Sequence, residues 1–426
     1  MLERPAGENA WIIVKDALRY IHERRPVHGD IEARSIIVLV VSFSGGLRAL
    51  DWRLARPDAI SVWQDPEVRR RLSWYYSVMR GSKPARFLIA RSIPVDASRG
   101  ELWEMEEDSL WKLHAEAARW FMEEWLEIKD SDRVNVEKYT YSNVDTSFLD
   151  VKRVLAYRLA SPCRLCERRC LVDRRRRIGA CRLDINTYVH SAFLHLGEEA
   201  PLVPSGTIFY GGCNFSCVYC QNYDISQVYP RGGRRVGEEE LAYIQDALAR
   251  HGARNINHVG GDPTPSMHTI IGSLRYVRSN IPQLWNSNMY LSSEAMEILS
   301  HLVDIWLPDF KYGNDRCAFK LSAVPHYWKV VTRNLKHAVA HGDMIIRHLV
   351  LPGHLDCCTR PVLEFIAEEL PRDRILVNIM DQYTPMHLVA RHPYRWREIA
   401  RRPSREEIVE ARRLATELGL LWEPVS

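Results

Sequence analysis

The chain has 426 residues, 46% hydrophobic and 26% charged, a globular balance that excludes disordered, collagen-like and coiled-coil classes. A formal net charge of +4 excludes a globally basic nucleic-acid binder and leaves only a local basic patch for such a role. The longest apolar run, Ser35–Phe43, is far below the roughly 20 residues that a membrane span needs, so no membrane association is expected.

The opening residues Met1-Leu2-Glu3-Arg4-Pro5 lack the basic-then-apolar pattern of a secretory signal, which points to a cytoplasmic protein. Residues 1–160 carry eight of the 13 tryptophans and no cysteine. Apolar residues recur at helical spacing over Trp11–Glu23, Glu67–Met79 and Asp108–Ile128, and short strands are expected at Ile36–Phe43 and Arg86–Ala90. This region reads as a separate α/β or α+β N-terminal extension of unknown role. Its tryptophans serve either as core or as a partner-docking face.

Residues 161–204 form a Cys/Arg-rich segment with the run Arg174-Arg175-Arg176-Arg177. The run is either a solvated loop beside a metal site or a contact for an acidic partner or nucleic acid. Only ten of the 58 basic residues are Lys and the other 48 are Arg, a bias that fits a GC-rich genome or a heat-adapted protein and indicates no function.

From residue 205 to 426 strand and helix patterns alternate. Strands are expected at Thr207–Tyr210, Asn255–Val259, Leu284–Tyr290, Val303–Phe310, Met344–Leu351 and Ile375–Met380. Helices are expected at Glu238–Arg250, Met267–Arg278, Glu294–His301, Tyr327–His341, Pro361–Leu370 and Arg405–Leu418. Six βα units in succession imply parallel strands with right-handed crossovers, hence an α/β fold built on a partial (β/α)6 barrel. Such barrels carry their chemistry on the loops that follow the strands.

Of the 10 cysteines, seven lie between Cys163 and Cys220, and such clustering favours metal sites in a reducing compartment over disulfides. Cys213, Cys217 and Cys220 follow the first barrel strand with C-x3-C-x2-C spacing. Three thiolates on one loop can hold three irons of a 4Fe–4S cluster and leave the fourth open to a small molecule. A zinc knuckle would instead need a distant fourth ligand. Cys163, Cys166, Cys170 and Cys181 form a second set, suited to zinc, to an auxiliary iron–sulfur cluster, or to free thiols over the barrel mouth. Cys317, Cys357 and Cys358 read as small buried residues, or as thiols that relay a radical or hold substrate. His354 reads as a turn residue or a proton donor.

The loop Gly211-Gly212-Cys213-Asn214-Phe215-Ser216-Cys217-Val218-Tyr219-Cys220 resembles that of radical S-adenosylmethionine (radical SAM) enzymes. The blocks Cys163-Arg164-Leu165-Cys166, Gly260-Gly261-Asp262-Pro263, Trp285-Asn286-Ser287-Asn288, Asp309-Phe310-Lys311 and Ile346-Arg347-His348 extend the resemblance to pyruvate formate-lyase activating enzyme-related iron–sulfur proteins. It covers residues 160–425 and does not reach the N-terminal region.

The resemblance implies that Cys213, Cys217 and Cys220 ligate a 4Fe–4S cluster and that SAM chelates the open iron. Reduction by a donor such as ferredoxin or flavodoxin would cleave SAM to methionine and a 5′-deoxyadenosyl radical, which abstracts hydrogen from a substrate. A protein or peptide substrate, attacked at a backbone glycine, is implied by the activating-enzyme likeness. Tyr219 would lie near the adenine or shield the cluster. Gly260 and Gly261 would let the backbone approach the methionine moiety. Asp262 stands where a common form has Glu, so its reach is shorter. Asn286 and Asn288 are candidates for the ribose hydroxyls, and Asp309 and Lys311 for the methionine carboxylate region or a surface ion pair. Arg347, on a buried strand, calls for an anionic partner, for which the SAM carboxylate is the candidate. Competing readings are a non-enzymatic iron–sulfur electron carrier or redox sensor, and a zinc-ribbon nucleic-acid binder, which the charge and the barrel pattern disfavour.

Overall fold

The structure is a computed structural model that describes residues 52–426. The helix expected at Trp11–Glu23 and the strand expected at Ile36–Phe43 lie outside the described residues.

The N-terminal region, as far as it is described, is helical. Its main helices are α1 (Pro66–Arg71), α2 (Ser73–Met79), α3 (Arg86–Ser92), α4 (Glu107–Asp130) and α5 (Phe148–Ala160). Asp65 starts α1 by accepting from the Glu67 and Val68 amides, with Pro66 in the first turn, where its missing N–H costs nothing. The single helix expected over Glu67–Met79 is interrupted at Leu72, which leaves helical geometry and divides α1 from α2. Arg86–Ala90, expected as a strand, is a correction: it forms most of α3. All five residues are buried, and a short apolar run buried on every side fits strand or helix equally. Contact with α4 and α5 decided the outcome.

Eight strands follow, β1 (Thr187–His195), β2 (Ser205–Tyr210), β3 (Arg234–Val236), β4 (Ile256–Gly260), β5 (Gln283–Ser287), β6 (Ile305–Pro308), β7 (Asp343–Leu349) and β8 (Ile375–Met380). They form one sheet in the order β3-β1-β2-β4-β5-β6-β7-β8. From β2 to β8 the pairs are parallel, which realises all six expected barrel strands. The strands β1 and β3, not expected from the sequence, add antiparallel pairs at one edge. Helices α6 (Glu238–Arg250), α7 (Met267–Ser273), α8 (Ser293–Leu299), α9 (Asp315–Ser322), α10 (Tyr327–His341), α11 (Arg360–Glu369) and α12 (Arg405–Glu417) complete the crossovers and the C-terminus. This is the α/β fold expected above, an open sheet of mostly parallel strands. Among the described residues no helix is long and apolar enough to cross a membrane.

Alternation along the strands separates an outer face from a lumen. Trp285, Trp306, Ile346 and Val377 point outward into the large core beneath the helices. Leu284, Leu307, Ile345 and Leu376 point inward and pack with Trp63, Val68, Leu72, Tyr75 and Leu202. Residues of α1 and α2 therefore close the floor of the barrel. Polar contacts fasten them there: Trp74 Nε1 and the Arg86 amide donate to Asp304 Oδ1 at 2.8 and 2.9 Å, and the Tyr75 amide donates to Asp343 Oδ2 at 2.8 Å. The described part of the N-terminal region is thus part of the barrel's core and does not stand apart from it.

Candidate active site at the barrel mouth

The cluster loop leaves β2 and is gripped from several sides. Its three thiols are each met by a polar hydrogen. The Phe215 amide lies 3.3 Å from Cys213 Sγ, and Asn288 Nδ2 lies 3.7 Å from it. Ser322 Oγ donates to Cys217 Sγ at 2.9 Å, and Ser226 Oγ lies 3.4 Å from Cys220 Sγ. Burial pushes all three thiols up, Cys217 to about 11, and neighbouring sulfurs raise Cys213 and Cys217 further. Three such thiols become thiolates together only when a cation shares them, which is the chemistry of an iron site. Hydrogen bonds to the sulfurs are the protein's means of tuning a cluster's potential.

Tyr219 lies within the same loop and is buried. Its hydroxyl meets Tyr312 Oη at 2.7 Å, Tyr312 meets Ser322 at 2.5 Å, and Ser322 completes the chain to the Cys217 sulfur.

The Gly260-Gly261 turn at the end of β4 presses against the start of the cluster loop. A Cβ on Gly260 would lie 2.2 Å from the Tyr210 backbone, and one on Gly261 would lie 2.0 Å from Gly212 O, so neither position accepts a side chain. Gly260 also has φ +117°, a conformation reserved for glycine. Asp262 is fully engaged within the chain. Its carboxylate accepts from the Thr264 amide at 2.9 Å and from the Asn288 amide and Ser287 Oγ at 3.0 Å. It therefore joins the ends of β4 and β5.

The remaining candidate residues face the lumen. Asn286 lies two residues after the inward Leu284, and its Nδ2 is buried with no partner among the described residues. Asn257 on the adjacent β4 donates to Glu198 Oε1 at 2.9 Å, while its own Oδ1 is buried without a partner among the described residues. One donor and one acceptor that are unpaired among the described residues thus lie on neighbouring strands. Asn288 turns instead to the loop and donates to Asn214 Oδ1 at 2.7 Å. Asp309 and Lys311 pair with each other at 2.7 Å. Burial alone would push the Lys311 ammonium down, but Asp309 and then Cys217 more than offset it, and the net direction is up.

Arg347 finds its anionic partners inside the chain. It forms a fork to Glu199 with two bonds of 2.7 Å and also pairs with Glu198. Asn378 donates to Glu199 Oε1 at 2.7 Å, and His195 Nδ1 lies 3.2 Å from Glu198 Oε1. The anionic partners that Arg347 calls for include two glutamates from the β1–β2 connection. Sequence reasoning missed both. Nothing in the local pattern marks them, because what draws them inward is an arginine about 150 residues away.

Residues 207–366 match the model of the radical SAM superfamily. A relative from Methanocaldococcus jannaschii, the uncharacterized protein MJ0674, is 40% identical over 355 residues, 82% of this chain and 98% of that one.

The chain belongs to the radical SAM superfamily.

A second protein of that organism, the uncharacterized MJ0808, is 24% identical over 285 residues, 61% of this chain and 79% of its own. Among solved structures, Streptococcus suis SuiB bound to precursor peptide SuiA aligns at 13% identity and TM-score 0.34, over 48% of this chain and less than half (43%) of that one. A domain of pyruvate-formate lyase-activating enzyme from Bacteroides vulgatus aligns at 16% identity and TM-score 0.29, over 43% of this chain and 89% of that one. As a radical SAM enzyme the protein is implied to use a 4Fe–4S cluster and SAM, and the donor set described above fits both.

The upstream cysteines pack beside the same loop of this radical SAM enzyme. The Cys163 amide donates to Val172 O, and the Leu171 amide returns to Cys163 O, both at 3.0 Å, which closes a small turn. The Ala180 amide lies 3.4 Å from Cys170 Sγ. Cys166 pairs with Leu291 after β5, Arg168 donates to Asn214 O at 2.9 Å, and Arg182 to Ser216 Oγ at 2.7 Å. Arg174, the first of the arginine run, is wholly buried and donates to Asp184 O and Pro265 O. It acts as an internal strut, while the other three arginines are exposed.

Proposed function

We propose that this chain abstracts hydrogen from a substrate held in the barrel lumen, with Cys213, Cys217 and Cys220 as ligands of the 4Fe–4S cluster. When bound, the cluster and SAM supply a carbon radical strong enough to take hydrogen from an unactivated C–H bond. The chain's own residues orient and seal this chemistry. Gly260 and Gly261 let the turn after β4 press against the start of the cluster loop, and the methionine end of SAM would lie along this turn. Asn286 Nδ2 and Asn257 Oδ1 offer a donor and an acceptor to SAM or substrate. The Asp309–Lys311 pair borders the cluster loop, and the Glu198–Glu199–Arg347 group lies deeper in the lumen. Electrons would come from a ferredoxin- or flavodoxin-type donor.

The observation that carries this reading is the cysteine loop that follows the first parallel strand, with Cys213 and Cys217 buried and Cys220 half-buried, on the same barrel whose lumen holds the Asn286 amide. The substrate class we favour is a protein or peptide, with a glycine Cα as the position attacked. The lumen supports it with an amide donor on Asn286 and an amide acceptor on Asn257, the complement of a peptide backbone, above an apolar floor.

The test is anaerobic. The reconstituted, reduced protein with SAM is expected to release 5′-deoxyadenosine, and Cys213→Ala, Cys217→Ala and Cys220→Ala to release none. With peptides deuterated at glycine Cα, deuterium is expected in the 5′-deoxyadenosine. Turnover without deuterium transfer would discard the peptide reading. A reducible cluster that binds no SAM would favour an electron carrier.

A further inference from the structure

Away from the cluster loop, a second set of soft ligands converges. Cys317 lies on α9 after β6, and His354, Cys357 and Cys358 lie on the short helical turn after β7. Their four ligand atoms all lie within 4.8 Å of one another. The Cys317 sulfur is 3.8 Å from that of Cys357 and 3.7 Å from His354 Nδ1. Cys357 Sγ is 3.9 Å from Cys358 Sγ and 3.3 Å from His354 Nδ1. Cys358 Sγ is 3.7 Å from the same nitrogen.

We propose that Cys317, His354, Cys357 and Cys358 hold one zinc ion in a closed Cys3His site. A tetrahedron with Zn–S bonds of about 2.3 Å has S···S edges of about 3.8 Å and slightly shorter S···N edges, which is the spacing seen. Three thiolates and an imidazole are a soft donor set of the kind that structural zinc takes, with no position left for substrate. A four-iron cube would hold its ligands outside separate corners and so wider apart. Ordinary buried cysteines pack against carbon as small apolar residues and have no reason to gather around an imidazole nitrogen.

The surroundings are built to the same end. Asn314 Oδ1 accepts from the Cys317 amide at 2.8 Å, and its Nδ2 donates to Cys357 O at 2.6 Å, so one side chain orients ligands on both loops. Gly313 allows the close approach, since a Cβ there would lie 2.7 Å from Cys357 O. Nδ1 is the His354 nitrogen aimed at the sulfurs, and Nε2 is buried with no partner among the described residues. The ion would tie the β6–α9 loop to the turn after β7. Helix α9 also carries Ser322, whose hydroxyl meets the Cys217 sulfur, so the ion would brace one wall of the radical site without entering it.

The full chain, purified without oxygen, tests this in two ways. Cys357 is half-exposed, so in the native protein it should alkylate slowly while zinc is bound and at least about tenfold faster once a zinc chelator is added, read by peptide mass spectrometry. An unchanged rate, fast or slow, overturns the proposal, as does a disulfide among Cys317, Cys357 and Cys358. Metal analysis of Cys357→Ser is expected to show one zinc per chain fewer, with iron unchanged. Unchanged zinc, or a loss of iron in its place, overturns it equally. If that variant does not fold, the labelling of the native chain decides alone.

Discussion

Cys213, Cys217 and Cys220 come from one loop within eight residues of sequence, whereas Cys317, His354, Cys357 and Cys358 come from two loops about 40 residues apart. The first group, as proposed ligands of the 4Fe–4S cluster, would leave one iron open, and it follows the first parallel strand. The second is closed on itself and bridges the loops after two adjacent parallel strands. The contrast separates a site made by local spacing from one made by strand adjacency. Only the first has a signature in the sequence, since the second exists because β6 and β7 are neighbours.

The sharpest way to break this comparison is to remove one ligand from each group. Cys217→Ala is expected to lower 5′-deoxyadenosine formation by at least about a thousandfold and to remove cluster iron while zinc stays. Cys357→Ser is expected to give the opposite metal pattern. If both variants lost both metals, the two groups would be one cooperative unit and the contrast would fail.

Next in size is Gly261→Ala. The added methyl would lie 2.0 Å from Gly212 O, a backbone atom that cannot step aside. A loss of about 3 kcal/mol or more in denaturant unfolding is expected, with reduced iron per chain. Gly237, where a Cβ meets nothing within 4 Å, is the control: Gly237→Ala should keep both stability and iron.

Arg347→Ala probes the lumen. Leaving two buried glutamates without their cation is expected to cost about 3–5 kcal/mol. Burial pushes Glu198 up, but Arg347 and His195 together hold it at about 2, below its usual 4.5. Its contribution to stability is therefore present above pH 4.5 and is lost as the pH falls toward about 2. In Arg347→Ala the burial that pushes Glu198 up loses its main opposition, so acidification from neutral pH should stabilise this variant relative to the native chain. Urea unfolding at a series of pH values reads the difference.

The smallest effect is expected from Ser322→Ala, which removes the hydroxyl at 2.9 Å from the Cys217 sulfur. Losing that donor should make the cluster harder to reduce, by a shift on the order of tens of millivolts in a redox titration followed by electron paramagnetic resonance. Iron content and fold should be unchanged.

Much of the barrel was legible beforehand. Glu238–Arg250 and Tyr327–His341 were expected with the bounds they have, because their amphipathic period is regular and each packs one face on the sheet. The strands were legible as apolar runs because parallel strands are covered on both sides. Where the signal was ambiguous, surroundings decided. Arg86–Ala90 has a strand's composition, yet its burial between α4, α5 and the sheet makes it a helix. The antiparallel strand β1 lies within the Cys/Arg-rich segment and is largely half-buried, and β3 is only three residues long with two exposed arginines, too short for a period to show.

The candidate site divides in the same way. The sequence by itself determined the cluster loop, the Gly260-Gly261 turn and the order of the six parallel strands. These depend on spacing along a few residues, on glycine where no Cβ fits, and on hydrophobic period. The tertiary structure alone decided that Arg347 pairs with Glu198 and Glu199 and that Asp262 joins two strand ends. It also decided that α1 and α2 plug the barrel floor and that Cys317 meets His354, Cys357 and Cys358. Each of these joins residues far apart in the chain. The physical reason is that a buried charge or thiol takes whatever partner the fold brings within about 3–4 Å, and local sequence carries no record of that partner.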